Sequence, residues 1–253
     1  MHLIPLGTAA GGVPRPGGAG AGYLVQDAST SLLLDCGNGV LGNLARYLPF
    51  QRLDAVWLSH LHADHFSDLF PLLLQRTRFG ALRVYAPPGS SAKLDAWMRS
   101  LSNHPELYRS MLDLREHEPG KAVKVGALRV TPEPVEHSVP AFGCTVASGR
   151  RVLAYSGDTR LTPALVELAR DADLFLCEAT LQEGVGDAEF NRRQLLAHLT
   201  AKQAGEVAAK ARCRALALTH VMYYLDLEHS VRQAQAACLC PVSAAREHVA
   251  YAL

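Results

Sequence analysis

The stretch from Val56 to Phe70, VWLSHLHADHFSDLF, sets His60, His62, Asp64 and His65 within six positions directly behind an apolar run. Alternate residues leaving a strand point the same way, so His60 and His62 can reach one ion. The turn into the following helical segment swings Asp64 and His65 towards a second point nearby. Neutral imidazoles and carboxylates are the ligands that a borderline cation such as zinc takes. The competing reading is a polar helix start, with Asp64 favourable near the dipole and the histidines merely solvated. Three histidines and an aspartate packed behind a buried strand weigh against it.

The cluster fixes a strand before it and a helix after it, since Phe66, Leu69, Phe70, Leu73 and Leu74 recur at helical intervals. The same rhythm runs along the chain. GYLVQ and SLLLDCG flank a turn at Asp27-Ala28-Ser29, and VKVGALRVTPEPV turns at Gly126. AFGCTVA and RRVLAYSGD pair around Ser148-Gly149. Thr162-Pro163 starts one helix, and Thr200 to Gln203 reads as a capping box for another. Each half places antiparallel strands first and βα units after. That order predicts two mixed sheets face to face with helices outside, as one domain over residues 1–253, a length that supports a substantial core.

More ligands are needed, and each candidate ends a strand-like run. His137 follows RVTPEPVE, Asp158 follows VLAYSG, and His220 follows LALT. Singly each is weak, but polar groups at strand ends of a mixed sheet converge on one rim. Asp35 and Asp68 are candidates to accept the free N–H of ligand histidines; a capping role for Asp35 and an exposed helix position for Asp68 are the alternatives. His117, between Glu116 and Glu118, reads as part of an exposed charged turn. The Gly-rich segment from Gly11 to Gly22 fits neither phosphate-loop pattern and reads as a mobile surface loop near the site. Met222, Tyr223 and Tyr224 read equally as a pocket wall or a dimer contact.

The formal net charge is +1, from 25 basic and 24 acidic residues. That balance gives no strong case for a nucleic-acid or membrane-surface partner. The N-terminus lacks the pattern of a signal peptide, and no apolar run is long enough to span a bilayer. The six cysteines contain no CxxC pair. Reduced, buried thiols and a cytoplasmic location are the expectation.

The motif HxHxDH, the later His137, the Asp158 of SGDT and the final His220 resemble, in order and setting, the metallo-β-lactamase superfamily. The resemblance runs through essentially the whole chain and implies its four-layer αββα sandwich. By position, it implies one metal on His60, His62 and His137, another on Asp64, His65 and His220, and Asp158 bridging both. The two divalent ions are expected to be zinc, with manganese or iron as alternatives. An aspartate at position 158 and a histidine at 65 set the chain apart from the true zinc β-lactamases, and His62 from flavodiiron oxidoreductases. LLLDCGNGVL, FLCEATL and AHLTAKQAGEVA are similar to segments of the RNase Z branch, and the compact build to its small YhfI-like members. There His198 is implied to contact phosphate or to donate a proton to the leaving group; by itself the residue reads equally as an exposed histidine before a capped helix.

The resemblance implies a hydrolase in which Asp64 orients the attacking water and His198 acts as acid, most simply a phosphodiesterase for a small or single-stranded phosphodiester. Hydrolysis of a carboxylic ester, thioester or lactone is the alternative. No tRNA-gripping basic arm or PxKxRN loop is present in the sequence, which lowers the case for tRNA 3′-processing. A non-catalytic metal-binding protein is the remaining reading, and a homodimer is implied by the family likeness.

Overall fold

In the third strand, Leu32, Leu33 and Leu34 are all fully buried, although successive side chains point to opposite faces. Such a strand needs cover on both sides, and the computed structural model, which describes residues 1–76 and 79–253, shows what supplies it. Leu24, Leu33, Val56 and Val84 pack with helix residues in one cluster. Tyr23, Leu32, Leu34, Trp57 and Tyr85 pack against Leu153, Tyr155 and Leu176 of a second sheet. Phe175, Cys177, Leu216 and Leu218 face another set of helices. Three apolar interfaces separate four layers, giving the αββα sandwich.

The first sheet contains β1 (His2–Gly7), β2 (Gly22–Asp27), β3 (Thr30–Leu34), β4 (Ala55–Trp57), β5 (Leu82–Ala86) and β6 (Leu112–Glu116), with a terminal strand, Tyr251–Ala252, on its outer edge. The second contains β7 (Val123–Val125), β8 (Leu128–Val135), β9 (Ala141–Ser148), β10 (Arg151–Tyr155), β11 (Leu174–Glu178), β12 (Leu216–Thr219) and β13 (Val242–Ala244); Tyr251–Ala252 is β14. Strands β1 to β3 pair antiparallel, and β3 to β6 parallel. In the second sheet β7 to β10 are antiparallel, and β10 to β13 parallel. The expected order of hairpins before βα units holds in both halves.

Helices α1 (Val40–Leu44), α2 (Ala63–Phe66), α3 (Leu69–Gln75), α4 (Ser90–Leu101) and α5 (Pro105–Ser110) belong to the first half. Helices α6 (Pro163–Leu168), α7 (Ala188–Gln194), α8 (Ala201–Ala211) and α9 (Leu227–Gln235) belong to the second. The capping box forms at α8: Thr200 Oγ1 accepts from Gln203 N, and the Gln203 side chain accepts from Thr200 N. Thr162 precedes α6 as expected, but its hydroxyl makes no cap bond, leaving Pro163 to start the helix. Among the described residues no helix is long and apolar enough to cross a membrane.

Candidate metal centre

Parallel strands deliver their C-terminal ends to one rim, and the candidate ligands leave from there. His60 comes just after β4, Asp158 just after β10, and His220 directly after β12, while His137 follows the antiparallel β8. The His60–His65 turn enters α2, which buries Asp64 and His65. His62 Nδ1 lies 3.1 Å from His60 Nε2 and 3.1 Å from His137 Nε2. His220 Nε2 lies 3.3 Å from His65 Nε2 and 3.3 Å from Asp64 Oδ2. Between the two groups, Asp158 Oδ2 is 3.8 Å from His60 Nε2 and 3.4 Å from both His65 Nε2 and His220 Nε2.

The outward nitrogens explain why the inward ones converge. His65 Nδ1 donates to Asp35 Oδ2 at 2.8 Å, His137 Nδ1 to the Ala197 carbonyl at 2.9 Å, and His220 Nδ1 to Thr180 Oγ1 at 2.9 Å. His60 Nδ1 meets Ser59 Oγ at 3.0 Å, and that hydroxyl donates onward to Asp35 Oδ2. With Nδ1 engaged outside, each of these four rings turns Nε2 inward. Neutral rings so placed set lone pair against lone pair, an arrangement that a cation among them resolves.

Protonation fits as well. Burial lowers the pKa of His60, His62 and His137, favouring the neutral ring that ligates metal. Burial alone would raise Asp158, but His220 and His65 outweigh it and hold the carboxyl well below its usual range. Asp64 is likewise lowered against its burial, by its contact with His220 and the charge of His65, a ring that Asp158 and Asp35 raise well above its usual range although burial opposes it. The donor set suits a divalent metal.

Two backbone features place the cage. Asp35 and His220 adopt φ of 57° and 52°, a region uncommon outside glycine, and such strain is concentrated at functional sites. Gly37 is required by the approach of the metal-binding turn: a Cβ there would lie 1.9 Å from the Asp64 carbonyl oxygen. That carbonyl accepts from Ala21 N, and the His65 carbonyl from Cys36 N. The segment after β3 therefore serves as a seat for the turn.

His198 stands beside the cage. Its Nδ1 lies 3.2 Å from Glu178 Oε1 and 3.3 Å from Thr180 Oγ1. Burial opposes its protonation, but the Glu178 charge and hydrogen bond, with Asp158, prevail and raise its pKa to about 9. Glu178 is itself buried and fully engaged: Thr159 N and His198 reach Oε1, while Thr180 Oγ1 and Leu199 N reach Oε2. Through Thr180 the same carboxylate supports His220.

A family description, "Beta-lactamase superfamily domain", matches residues 30–221. An uncharacterized protein of Mycobacterium leprae is 36% identical over 242 residues, covering 92% of this chain and 82% of that protein. The chain belongs to the metallo-β-lactamase superfamily. The probable metallo-hydrolase YhfI of Bacillus subtilis is 28% identical over 225 residues, covering 85% of this chain and 84% of YhfI. The crystal structure of YhfI superposes with a TM-score of 0.87 at 24% identity over 99% of both chains, which establishes the shared fold. Zinc phosphodiesterase ELAC protein 2 of Macaca fascicularis is 32% identical over 255 residues, covering 87% of this chain and 29% of that longer protein.

Within this metallo-β-lactamase fold, two expectations require correction. Asp68 supports no ligand histidine; its Oδ2 accepts from Leu41 N at 2.8 Å and caps the start of α1. His117 is not exposed: it stacks on Trp57 with centroids 4.7 Å apart and donates from Nε2 to the Leu58 carbonyl. Burial lowers its pKa to about 4 despite that bond. Asp35, by contrast, is no helix cap. It accepts from Ser59 N at 2.6 Å and Tyr155 OH at 2.6 Å, besides Ser59 Oγ and His65. The Gly-rich segment borders the site, with Gly12 against Asp64 and Arg15 donating to the Leu225 carbonyl. Tyr223 and Tyr224 stay about half exposed, against each other edge-on.

Because Asp35 holds His65 while reaching His60 through Ser59, Asp35→Asn is expected to weaken metal binding about 10–100-fold, the scale of losing such an outer partner. Competition against a chelator at fixed pH reads this directly. Unchanged affinity would assign Asp35 to folding alone.

Proposed function

We propose that this metallo-hydrolase is a dinuclear phosphodiesterase acting on a small or single-stranded phosphodiester. The observation that carries the reading is the Glu178–His198 pair beside two ligand groups that share Asp158. His60, His62 and His137 would hold one divalent cation, and Asp64, His65 and His220 the other. When bound, two such cations polarise a phosphoryl group and lower the pKa of a shared water.

The chain's own residues divide the remaining work. Asp64 belongs to the second trio and would also accept a hydrogen bond from the attacking water, orienting it. His198, anchored through Nδ1, leaves Nε2 for the departing oxygen, to which it gives a proton. Glu178 fixes the orientation of that ring and keeps it protonated. A phosphodiester with an alkoxide leaving group gains most from such an acid; a lactone or thioester gains less. The zinc phosphodiesterase named among the relatives supports the same class of substrate. The near-neutral net charge favours a small diester over a long polyanion.

The test is a panel of bis-p-nitrophenyl phosphate, cyclic nucleotides, tRNA precursors and lactones presented to metal-loaded protein. Turnover of lactones without any diester would overturn the proposal. A pH profile tests the acid. Removing the Glu178 charge lowers the His198 pKa, so the protonated form is lost earlier as pH rises. The basic limb of kcat in Glu178→Gln should therefore move to lower pH by about one unit or more. An unmoved basic limb would remove His198 from the role of acid.

A further inference from the structure

Thr180 stands between the acid His198 and the metal-facing His220. It is fully buried, just past Glu178 at the end of β11. Its Oγ1 lies 2.7 Å from Glu178 Oε2, 2.9 Å from His220 Nδ1 and 3.3 Å from His198 Nδ1. Glu178, His198 and His220 each bring one ligand atom within 4.8 Å of the others, around that single hydroxyl. Glu178 also meets His198 Nδ1 directly, at 3.2 Å, so the acid keeps its anchor without Thr180. His220 Nδ1 has no such second partner: among the described residues, only Thr180 reaches it.

A hydroxyl gives one proton and accepts through its lone pairs. The Glu178 carboxylate takes the Thr180 proton, so Oγ1 turns a lone pair to His220 and Nδ1 is the donor there. A neutral imidazole carries one N–H, and two places compete for it. Outside stands Thr180. Inside, His220 Nε2 lies 3.3 Å from Asp64 Oδ2 and 3.4 Å from Asp158 Oδ2, and carboxylates are the stronger acceptors. A proton drawn inward would sit on the nitrogen that a cation needs. The bond to charged Glu178 polarises the Thr180 hydroxyl and strengthens it as an acceptor. The 2.9 Å outer contact is accordingly shorter than either inner one.

We propose that Thr180 is a positioning residue through which Glu178 governs the second ligand group. Its hydroxyl holds the His220 ring proton on Nδ1 and keeps Nε2 open to a divalent cation. One carboxylate thus carries two separable duties: it anchors the acid directly, and it readies a metal ligand through Thr180. The inference rests on the two-cation reading above, and metal binding tests it without any substrate.

Thr180→Val preserves the side-chain shape and removes the hydroxyl. Chelator competition on the Zn2+-loaded protein should show one of two ions weakened by about 10–100-fold, the scale of losing an outer partner, with the other unchanged. Thr180→Ser, which restores the hydroxyl, should recover the wild-type affinity. Two-bond 1H–15N spectra of the metal-free protein in mildly alkaline buffer should show His220 as Nδ1–H in the wild type and as Nε2–H in Thr180→Val. Lost packing alone would not move that proton. With both ions saturating, the basic limb of kcat should stay in place in Thr180→Val, because Glu178 still holds His198, whereas Glu178→Gln should move it. Unchanged metal affinity in Thr180→Val overturns the proposal. So does equal weakening of both ions, a failure of Thr180→Ser to recover it, or a basic limb that shifts with Thr180→Val. Should Thr180→Val fail to fold, Nε2–H on His220 in the wild type overturns the proposal alone. Two ions bound with the expected pattern, but no diester turned over, would remove the proposed substrate and leave the role of Thr180 standing.

Discussion

Replacing His198 with alanine is expected to lower turnover of an unactivated phosphodiester by about 10²–10⁴-fold, the range a positioned general acid contributes. A p-nitrophenyl ester, whose leaving group departs without a proton, should lose far less. The contrast follows from the Glu178 anchor, which holds the ring through Nδ1. A histidine that merely lined the pocket would affect both substrates alike. Equal losses on the two would therefore argue against the acid and would favour carbonyl substrates over phosphodiesters.

The second large effect is expected from Asp64→Ala. The substitution removes the only carboxylate of the trio Asp64, His65 and His220 and with it a hydrogen-bond acceptor for the attacking water. Turnover of every substrate should fall by at least ~10²-fold, the scale of deleting one preorganised electrostatic element. Metal content should fall too, with the second ion lost first. The fold should survive, because the Asp64 contact that seats the turn is its backbone carbonyl on Ala21 N, which alanine retains. A melting temperature near that of the wild type, measured alongside metal content, separates the two effects. Full metal content with full activity would dismiss Asp64 from the centre.

Much of this site was legible in local pattern. His60, His62, Asp64 and His65 sit close in sequence, and the strand-to-helix turn that groups them follows from apolar periodicity. His137, Asp158 and His220 were legible as strand ends; for Asp158 and His220 parallel topology brings those ends to one rim, while His137 leaves β8, which is antiparallel to both neighbours. What pattern could not carry is contact across the sandwich. The role of Asp35 depends on Tyr155, which reaches it from the opposite sheet. His117 looked solvated between two glutamates, yet the end of β6 turns it under Trp57. Asp68 lies only three residues from His65, but the chain folds back so that it meets α1 instead.

Glu178 was the residue missed, and a signal for it existed. Strand β11, LFLCE, is buried from end to end. A carboxylate closing such a strand must find charged or hydrogen-bonding partners or else stay costly to bury. Asking what those partners are leads to His198 and Thr180. The inward atom of His62, Nδ1 where the other rings present Nε2, has no trace in the sequence, since it depends on ring rotation alone.

The central claim is that two ligand groups joined by Asp158 act together on a phosphodiester. Its most direct test is metal analysis of active protein, with bis-p-nitrophenyl phosphate turnover followed as metal is restored to the stripped chain. The account predicts two equivalents per chain at the cage, and full turnover only when both are present. Full turnover at one equivalent, or in the metal-free protein, would contradict it.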